Sequence, residues 1–269
     1  CRREGIDDEY TVDMKNASPE ETGLTYMYHC PQAVLYPFGY GLSYAQFAYS
    51  NICVKNGLKP LAVDLTVTNT GKFTGKEVVQ IYLSSLDSGY GDYVPGKQLV
   101  GFAKTKELKP GDSQKVHIDL YEDAYRKWDV AAKKYIVETG EYLLSVARCA
   151  EDVVYETQIH IEGEALGLLD FSSPCNVWES VSAAKAVKGA EISKKRSVYF
   201  EGGYFAVESD GADSQITMQR VRFDHASKLK LTAACAAPGA SLEICIGEKC
   251  YALPVCETKP KETVLEEQD

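Results

Sequence analysis

Histidine, methionine and tryptophan are scarce in this chain: four, three and two among 269 residues. Few histidines leave little material for general-base chemistry or metal ligation, in which histidine is the commonest side chain. No run of about 18 apolar residues occurs, so no segment is expected to cross a bilayer as a helix. No charged stretch followed by a short apolar one opens the chain as a secretory leader would. Basic residues are in deficit, with 29 Lys and Arg against 39 Asp and Glu, a formal net charge of -10. Nucleic acid and anionic membrane surfaces require clustered cations, so neither is an expected partner. The nucleophile elbow, the zinc-protease helix, the phosphate-binding loop and the dinucleotide fingerprint are all missing. No cofactor is expected. Carboxylates are plentiful, but glycoside hydrolysis needs two held about 5 to 9.5 Å apart across a cleft, and spacing alone selects no pair.

What is present suits a globular chain of two domains: 45% of residues are hydrophobic, enough to fill a core. The nine cysteines follow no zinc spacing. Cys235 alternates with Leu229, Leu231 and Ala233 as a small buried hydrophobe would, and no metal site is expected. The odd count without a framework leans towards a reducing compartment such as the cytoplasm, with a disulfide from Cys245 to Cys250 or Cys256 left open. The first residue is Cys1 rather than Met, and the last residues are polar, so both ends read as cuts through a longer protein.

Strand periodicity dominates from Phe47 to about Gly163. Leu61, Val63, Leu65 and Val67 alternate with Ala62, Asp64, Thr66 and Thr68, and Asn69-Thr70-Gly71 supplies a turn. Val79, Ile81 and Leu83 repeat the pattern with Gln80 and Tyr82 between them, which predicts one buried face. Further runs follow at 98–102, 116–120, 142–146 and 155–161. About seven short strands in roughly 115 residues mark an antiparallel sandwich of immunoglobulin-like type. The pattern weakens from 165 to 197, read as a connector. It resumes at Val198, with runs at 214–223, 228–236 and 242–246 that suggest a second, incomplete β-sandwich. The expected fold class is therefore all-β. His117 and His160 fall on outward faces of their strands and read as solvated residues.

Two stretches stand apart from this pattern. Leu35-Tyr-Pro-Phe-Gly-Tyr-Gly-Leu-Ser-Tyr44 holds four aromatics, two glycines and a proline. Pro37 and the glycines rule out a helix, and the stretch reads as a packed corner where glycine permits close backbone approach. Ser85 to Gly96 is a glycine-rich connection carrying Tyr90, Asp92 and Tyr93. A tyrosine ring can stack on the apolar face of a pyranose while a carboxylate accepts from its hydroxyls. A surface loop packed on itself is the plainer alternative.

The stretch LYPFGYGLSY, followed by LTVTNTGKFTGKEVVQIYL and VPGKQLVGFAKTKELKPGDSQKV, closely resembles the C-terminal part of family 3 glycoside hydrolases, the β-glucosidase and β-xylosidase group. The resemblance runs from about Tyr10 to Gly163, with KKYIVETGEYLLSV similar to the family's final strands. Gly23 to Tyr28 resembles a tail motif of the family, with Leu24 where Arg is usual. The resemblance implies four parts: 1–44, the tail of an α/β sandwich domain and linker; 45–163, a fibronectin type III-like domain; 164–197, a connector; and 198–269, a partial module similar to family 6-type carbohydrate-binding modules.

It further implies a non-catalytic part of an enzyme that hydrolyses terminal β-linked glucose or xylose, inactive alone, with the catalytic carboxylates elsewhere. The implied partners are an oligosaccharide or aryl glycoside and the upstream catalytic domains. The aromatic corner would pack on the α/β domain, and Tyr90, Tyr93 and Asp92 would approach substrate. A stand-alone carbohydrate-binding or cell-surface β-sandwich is the alternative. Tyr204 and Trp178 are weaker candidates for sugar contact in the last module.

Overall fold

The computed structural model describes Met27 and residues 35–56, 61–89, 96–172, 184–188, 190–192, 207–209, 215–218, 220–222, 228–233, 240–246, 248–255 and 261–266. The chain divides into two compact units, residues 1–167 and 168–269.

In the first unit, alternating apolar residues produce seven strands in two antiparallel sheets. One sheet has the order β1-β2-β5, formed by Phe47–Lys55, Ala62–Asn69 and Ser113–Asp119. The other has the order β4-β3-β8-β9, where β3 is Val78–Ser85, β4 Gln98–Lys104, β8 Gly140–Cys149 and β9 Asp152–Ile161. A short hairpin, β6 (Lys127–Asp129) with β7 (Lys134–Ile136), lies between β5 and β8 in sequence. The inward residues of both sheets form one core, with Val63, Leu65 and Val67 of β2 together with Val79, Ile81 and Leu83 of β3 and Leu144 and Val146 of β8. Each such side chain contributes about 1.5 to 3 kcal/mol by leaving water. The fold is the expected all-β sandwich.

Several polar groups brought into this interior are paired. The Asn69 side chain, fully buried at the end of β2, donates from Nδ2 to the carbonyls of Phe73 and Leu108, both at 2.8 Å. Its Oδ1 accepts from the Gly71 amide at 2.9 Å, which closes the turn anticipated at Asn69-Thr70-Gly71. Asp129, also fully buried, accepts from the amides of Ala131 at 2.9 Å and Gly167 at 2.6 Å and so ties the β6–β7 hairpin to the end of the unit. In β1 a bulge between Ser50 and Cys53 places Asn51 at φ 51°, a left-handed conformation that asparagine tolerates.

The prediction of a single buried face fails for β3. Gln80 and Tyr82 are as buried as the core residues on either side of them, because the outer face of the sheet is covered too. Tyr82 packs with Ala147 and Ala150, flanked by Leu99 and Val153. His117 and His160 are exposed as expected. His117 lies between Asp64, at 2.5 Å, and Asp119, at 3.1 Å, while His160 is 2.7 Å from Glu141.

The second unit consists of two-stranded antiparallel ladders among its described residues: β10 (Ala184–Lys188) with β13 (Gln215–Met218), and β11 (Ala190–Ile192) with β12 (Val207–Ser209). Two more pair β14 (Lys228–Ala233) with β17 (Lys261–Glu266), and β15 (Ala240–Ile246) with β16 (Lys249–Val255). β10 and β11 fall within the span read as a connector. Cys245 and Cys250 face each other in the β15–β16 register and form a disulfide. Of the two pairings left open, this is the one adopted; Cys235 and Cys256 lie outside the described residues. Glu243 sits beside this disulfide, whose joined sulfurs offer no thiolate to a metal.

One acid at the start of β3 is half-buried. Burial raises the Glu77 carboxyl above its usual range, and the bond from the Val78 amide at 2.9 Å and the charge of Arg148 offset this only partly. A carboxyl raised in the folded state contributes stability below its unfolded value of about 4.5, and that stability is lost as pH rises through the folded value. Glu77→Gln, which keeps an acceptor for Val78, should therefore match the parent protein below about pH 4.5. It should gain melting temperature over the parent from there towards neutrality. Melting curves from pH 4 to 8 check this, and parallel profiles would contradict it.

Candidate functional site

Two places in the first unit combine exposed or charged groups with a defined backbone. The first is the aromatic corner. Pro37 and Gly39 form a tight turn closed by the Tyr40 amide on the Pro37 carbonyl at 3.0 Å. The backbone then lies against the outer face of β3: the Phe38 carbonyl accepts from the Ala150 amide at 2.9 Å, and the Gly39 carbonyl accepts from Gln80 Nε2 at 3.2 Å. Gln80 Nε2 also donates to the Arg148 carbonyl at 2.6 Å, and its Oε1 accepts from the Tyr82 hydroxyl at 2.6 Å. The buried amide is thus satisfied only because the corner and β8 both present carbonyls to it.

Glycine is required at position 39. Its φ is 79°, and a Cβ built there would overlap the Gln80 amide. The rings point the other way. Tyr36, Phe38, Tyr40 and Tyr44 are exposed, Tyr44 to 91%, and Leu35, Leu42 and Phe73 join them. Tyr36 and Tyr40 stack at 5.4 Å, and Tyr44 meets Phe73 edge-on at 6.2 Å. A shallow hollow of about 150 Å³ lies between Tyr44, Gln46, Lys72 and Phe73. The corner is therefore packed through its backbone, and its rings form an outward ridge.

The second place is the root of the Ser85–Gly96 connection. Tyr90, Asp92 and Tyr93 lie outside the described residues. The residues leading to them are held by Glu138, which follows β7. Its carboxylate is buried, with Oε2 accepting from Ser88 Oγ at 2.5 Å and Oε1 accepting from the Gly89 amide at 2.7 Å. Lys127 Nζ stands 3.5 Å from Oε2 and 3.4 Å from Ser88 Oγ, and it is nearly as buried as its partner. Burial holds the Lys127 ammonium below the usual lysine range, partly offset by Glu138. The Tyr142 hydroxyl donates to the Glu138 backbone carbonyl at 2.8 Å, so the strand beneath is fixed as well. On the far side of the connection, the Gly96 amide donates to the Met27 carbonyl at 2.9 Å.

Sequence reasoning passed over Glu138, although a signal existed. Positions 136, 138, 142 and 144 share one parity, and Ile136, Tyr142 and Leu144 are all buried. A carboxylate on that face must find partners, and the nearest donors are in the 85–89 segment.

The corner makes a test of local structure. Gly39→Ala should detach the Phe38–Gly39 backbone from β3, at about 1 to 3 kcal/mol including the left-handed penalty. It should also speed hydrogen exchange at the Ala150 amide. Gly41→Ala, whose added Cβ would meet nothing within 4 Å, should leave both unchanged. Equal behaviour of the two variants would show that the corner is not clamped.

Residues 77–150 match the fibronectin type III-like domain family. Over 184 residues the chain is 38% identical to an exo-α-(1→6)-L-arabinopyranosidase of Bifidobacterium breve, covering 67% of this chain and 23% of that protein. Over 142 residues it is 37% identical to a β-glucosidase of Kluyveromyces marxianus, covering 52% of this chain and 16% of that protein. Among solved structures, a GH3 β-glucosidase of Bifidobacterium adolescentis is 35% identical with a TM-score of 0.47, covering 52% of this chain and 21% of that one. The chain spans less than a quarter of the length of these relatives. It is a relative of the family 3 glycoside hydrolases and carries, at residues 77–150, their fibronectin type III-like domain.

Proposed function

We propose that this chain is a C-terminal, non-catalytic part of a β-glycosidase that removes terminal β-linked glucose or xylose by a retaining two-carboxylate mechanism. In this reading residues 45–163 support the catalytic domains, and the aromatic ridge packs against the preceding α/β domain. The observation that carries it is the ridge: the sheet grips the corner's backbone, while Tyr36, Phe38, Tyr40 and Tyr44 are left facing outward. Rings of this kind bury about 150 to 250 Å² each when covered, so an exposed ridge of this size is suited to an interface. The second unit, similar in its strand pattern to a carbohydrate-binding module, would extend the same protein.

The Ser85–Gly96 connection would supply sugar contacts through Tyr90, Tyr93 and Asp92. A ring stacked on a sugar away from the bond being cleaved contributes equally to ground and transition states, so its loss raises KM and spares kcat.

Two outcomes are expected. The isolated chain should release no nitrophenol from aryl β-glucoside or β-xyloside, because the two carboxylates lie in other domains; turnover that follows this chain through purification would overturn the reading. In the full-length enzyme, Tyr90→Ala and Tyr93→Ala should each raise KM by the equivalent of about 0.5 to 2 kcal/mol with kcat nearly unchanged. A lowered melting temperature with constant KM would instead mark the tyrosines as structural.

A further inference from the structure

We infer that Glu243, Cys245 and Cys250 form a redox-gated site for a thiophilic divalent cation such as Zn2+: the disulfide closes it, and reduction opens it to the metal. All three side chains are exposed on the β15–β16 hairpin, within reach of a soluble reductant and of an ion.

The ladder brings the three donors together. Glu243 and Cys245 stand two residues apart on β15 and so share a face. Cys250 is the register partner of Cys245, and the pairing runs unshifted from Ala240 opposite Val255 to Ile246 opposite Lys249. The Cα atoms of the two cysteines are 4.1 Å apart, close to the roughly 4.5 Å of non-hydrogen-bonded antiparallel pairs, whose side chains approach most closely. The backbone therefore keeps the sulfurs neighbours once their bond is opened. A carboxylate oxygen of Glu243 and the two sulfurs lie within 4.8 Å of one another. Zinc bonds of about 2.3 Å to sulfur and about 2.0 to 2.2 Å to a carboxylate oxygen put tetrahedral ligands about 3.6 to 3.8 Å apart, so rotation about the side-chain bonds suffices to seat an ion.

As a staple alone this cross-link contributes little. The stabilisation from a disulfide grows with the loop it closes, and these cysteines are separated by only 5 positions. An exposed disulfide is also the kind that exchanges readily with thiols. With a dithiol reductant, one thiolate attacks a sulfur of the pair and the second resolves the mixed disulfide. The reductant leaves as a disulfide, and Cys245 and Cys250 are left as two thiols. Binding then releases two thiol protons to solvent, with the Glu243 carboxylate as third ligand and a water as fourth. Two thiolates in the set select Zn2+ over a hard cation such as Mg2+. The hairpin thus carries a cross-link in both redox states.

The test uses the whole chain and Zn2+ alone as the probe. The reduced chain, freed of reductant, is alkylated with iodoacetamide in the presence and absence of Zn2+. Cleavage after Lys249 puts the two cysteines in separate peptides, so mass spectrometry reads each one. At free Zn2+ about ten times the dissociation constant, alkylation of Cys245 and Cys250 should slow together by about tenfold. Cys53, an exposed thiol outside this cluster, should be unaffected. Glu243→Gln should weaken the protection constant by about tenfold or more, since losing a direct ligand costs at least as much as losing an outer-shell partner. Cys245→Ser should abolish protection at Cys250.

Unprotected Cys245 and Cys250 in the reduced parent chain, a result that needs no variant, would overturn the site. Protection of only one of them, equal protection of Cys53, or an unchanged constant in Glu243→Gln would do the same. A disulfide that resists dithiols while the chain stays folded would overturn the gate.

Discussion

The outer face of β3 is the constraint on which the first unit depends. A central strand in a four-stranded sheet is lined on its inner face by Val79, Ile81 and Leu83, and nothing about the sandwich requires its other face to be dry. Here it is dry, and it carries an amide and a phenol. A buried primary amide left unpaired costs about 1 to 3 kcal/mol for each lost bond. Gln80 therefore cannot be buried unless carbonyls reach it, and those come from Gly39 and Arg148. This requirement brings the corner onto the sheet, demands glycine at 39, and decides which side of the corner is left for its rings. The exposed ridge is in this sense a consequence of one satisfied glutamine.

The pair Lys127–Glu138 follows a different logic. Each partner is buried enough that the cost of removing it from water is several kcal/mol, and their mutual attraction at 3.5 Å does not guarantee a net gain. The exposed pairs elsewhere, such as Arg148 with Asp152, pay little desolvation and contribute about 0 to 1 kcal/mol each. Where a buried pair is retained, its geometry is the more informative quantity. The carboxylate has its acceptor sites filled by a hydroxyl and an amide from successive residues of a loop root, so what it secures is the path of that segment.

How much of this was legible in the sequence depends on whether the determinant was local. The strands of the sandwich were, because Leu61 to Val67 and Val79 to Leu83 alternate over enough residues to reveal their period. The turn at Asn69 was also legible, since an asparagine before Thr-Gly can bond its own turn. The second burial of β3 was not. Gln80 and Tyr82 have polar groups, and segments distant in sequence dry them: the corner some forty residues earlier and the residues around Ala147 and Ala150. The same applies to Glu138, whose partners stand 50 and 49 residues away at Ser88 and Gly89. The ridge was half legible: composition announced a packed corner, while which half of it packs was decided by backbone bonds that composition does not encode. Of the candidate contacts, Tyr90, Asp92 and Tyr93 belong to the residues the structure does not describe, and their assignment still rests on ring chemistry and resemblance.

These two features converge on a division of labour within the sandwich. Its core is ordinary and would be stable with many apolar substitutions of equal volume. Its exceptional groups are Gln80 and Tyr82, Asn69, Asp129, and Glu138 with Lys127, each placed where a non-strand segment meets the sheets. Gln80, Asn69, Asp129 and Glu138 each hold backbone of a neighbouring segment. A domain whose only task was to fold would not need so many buried polar anchors, because each one risks an unsatisfied group for no gain in core packing. A domain that must present an aromatic ridge at one place and a loop root at another does need them. Such surfaces are useful only when held still, and hydrogen bonds supply a directional constraint that apolar contact alone does not.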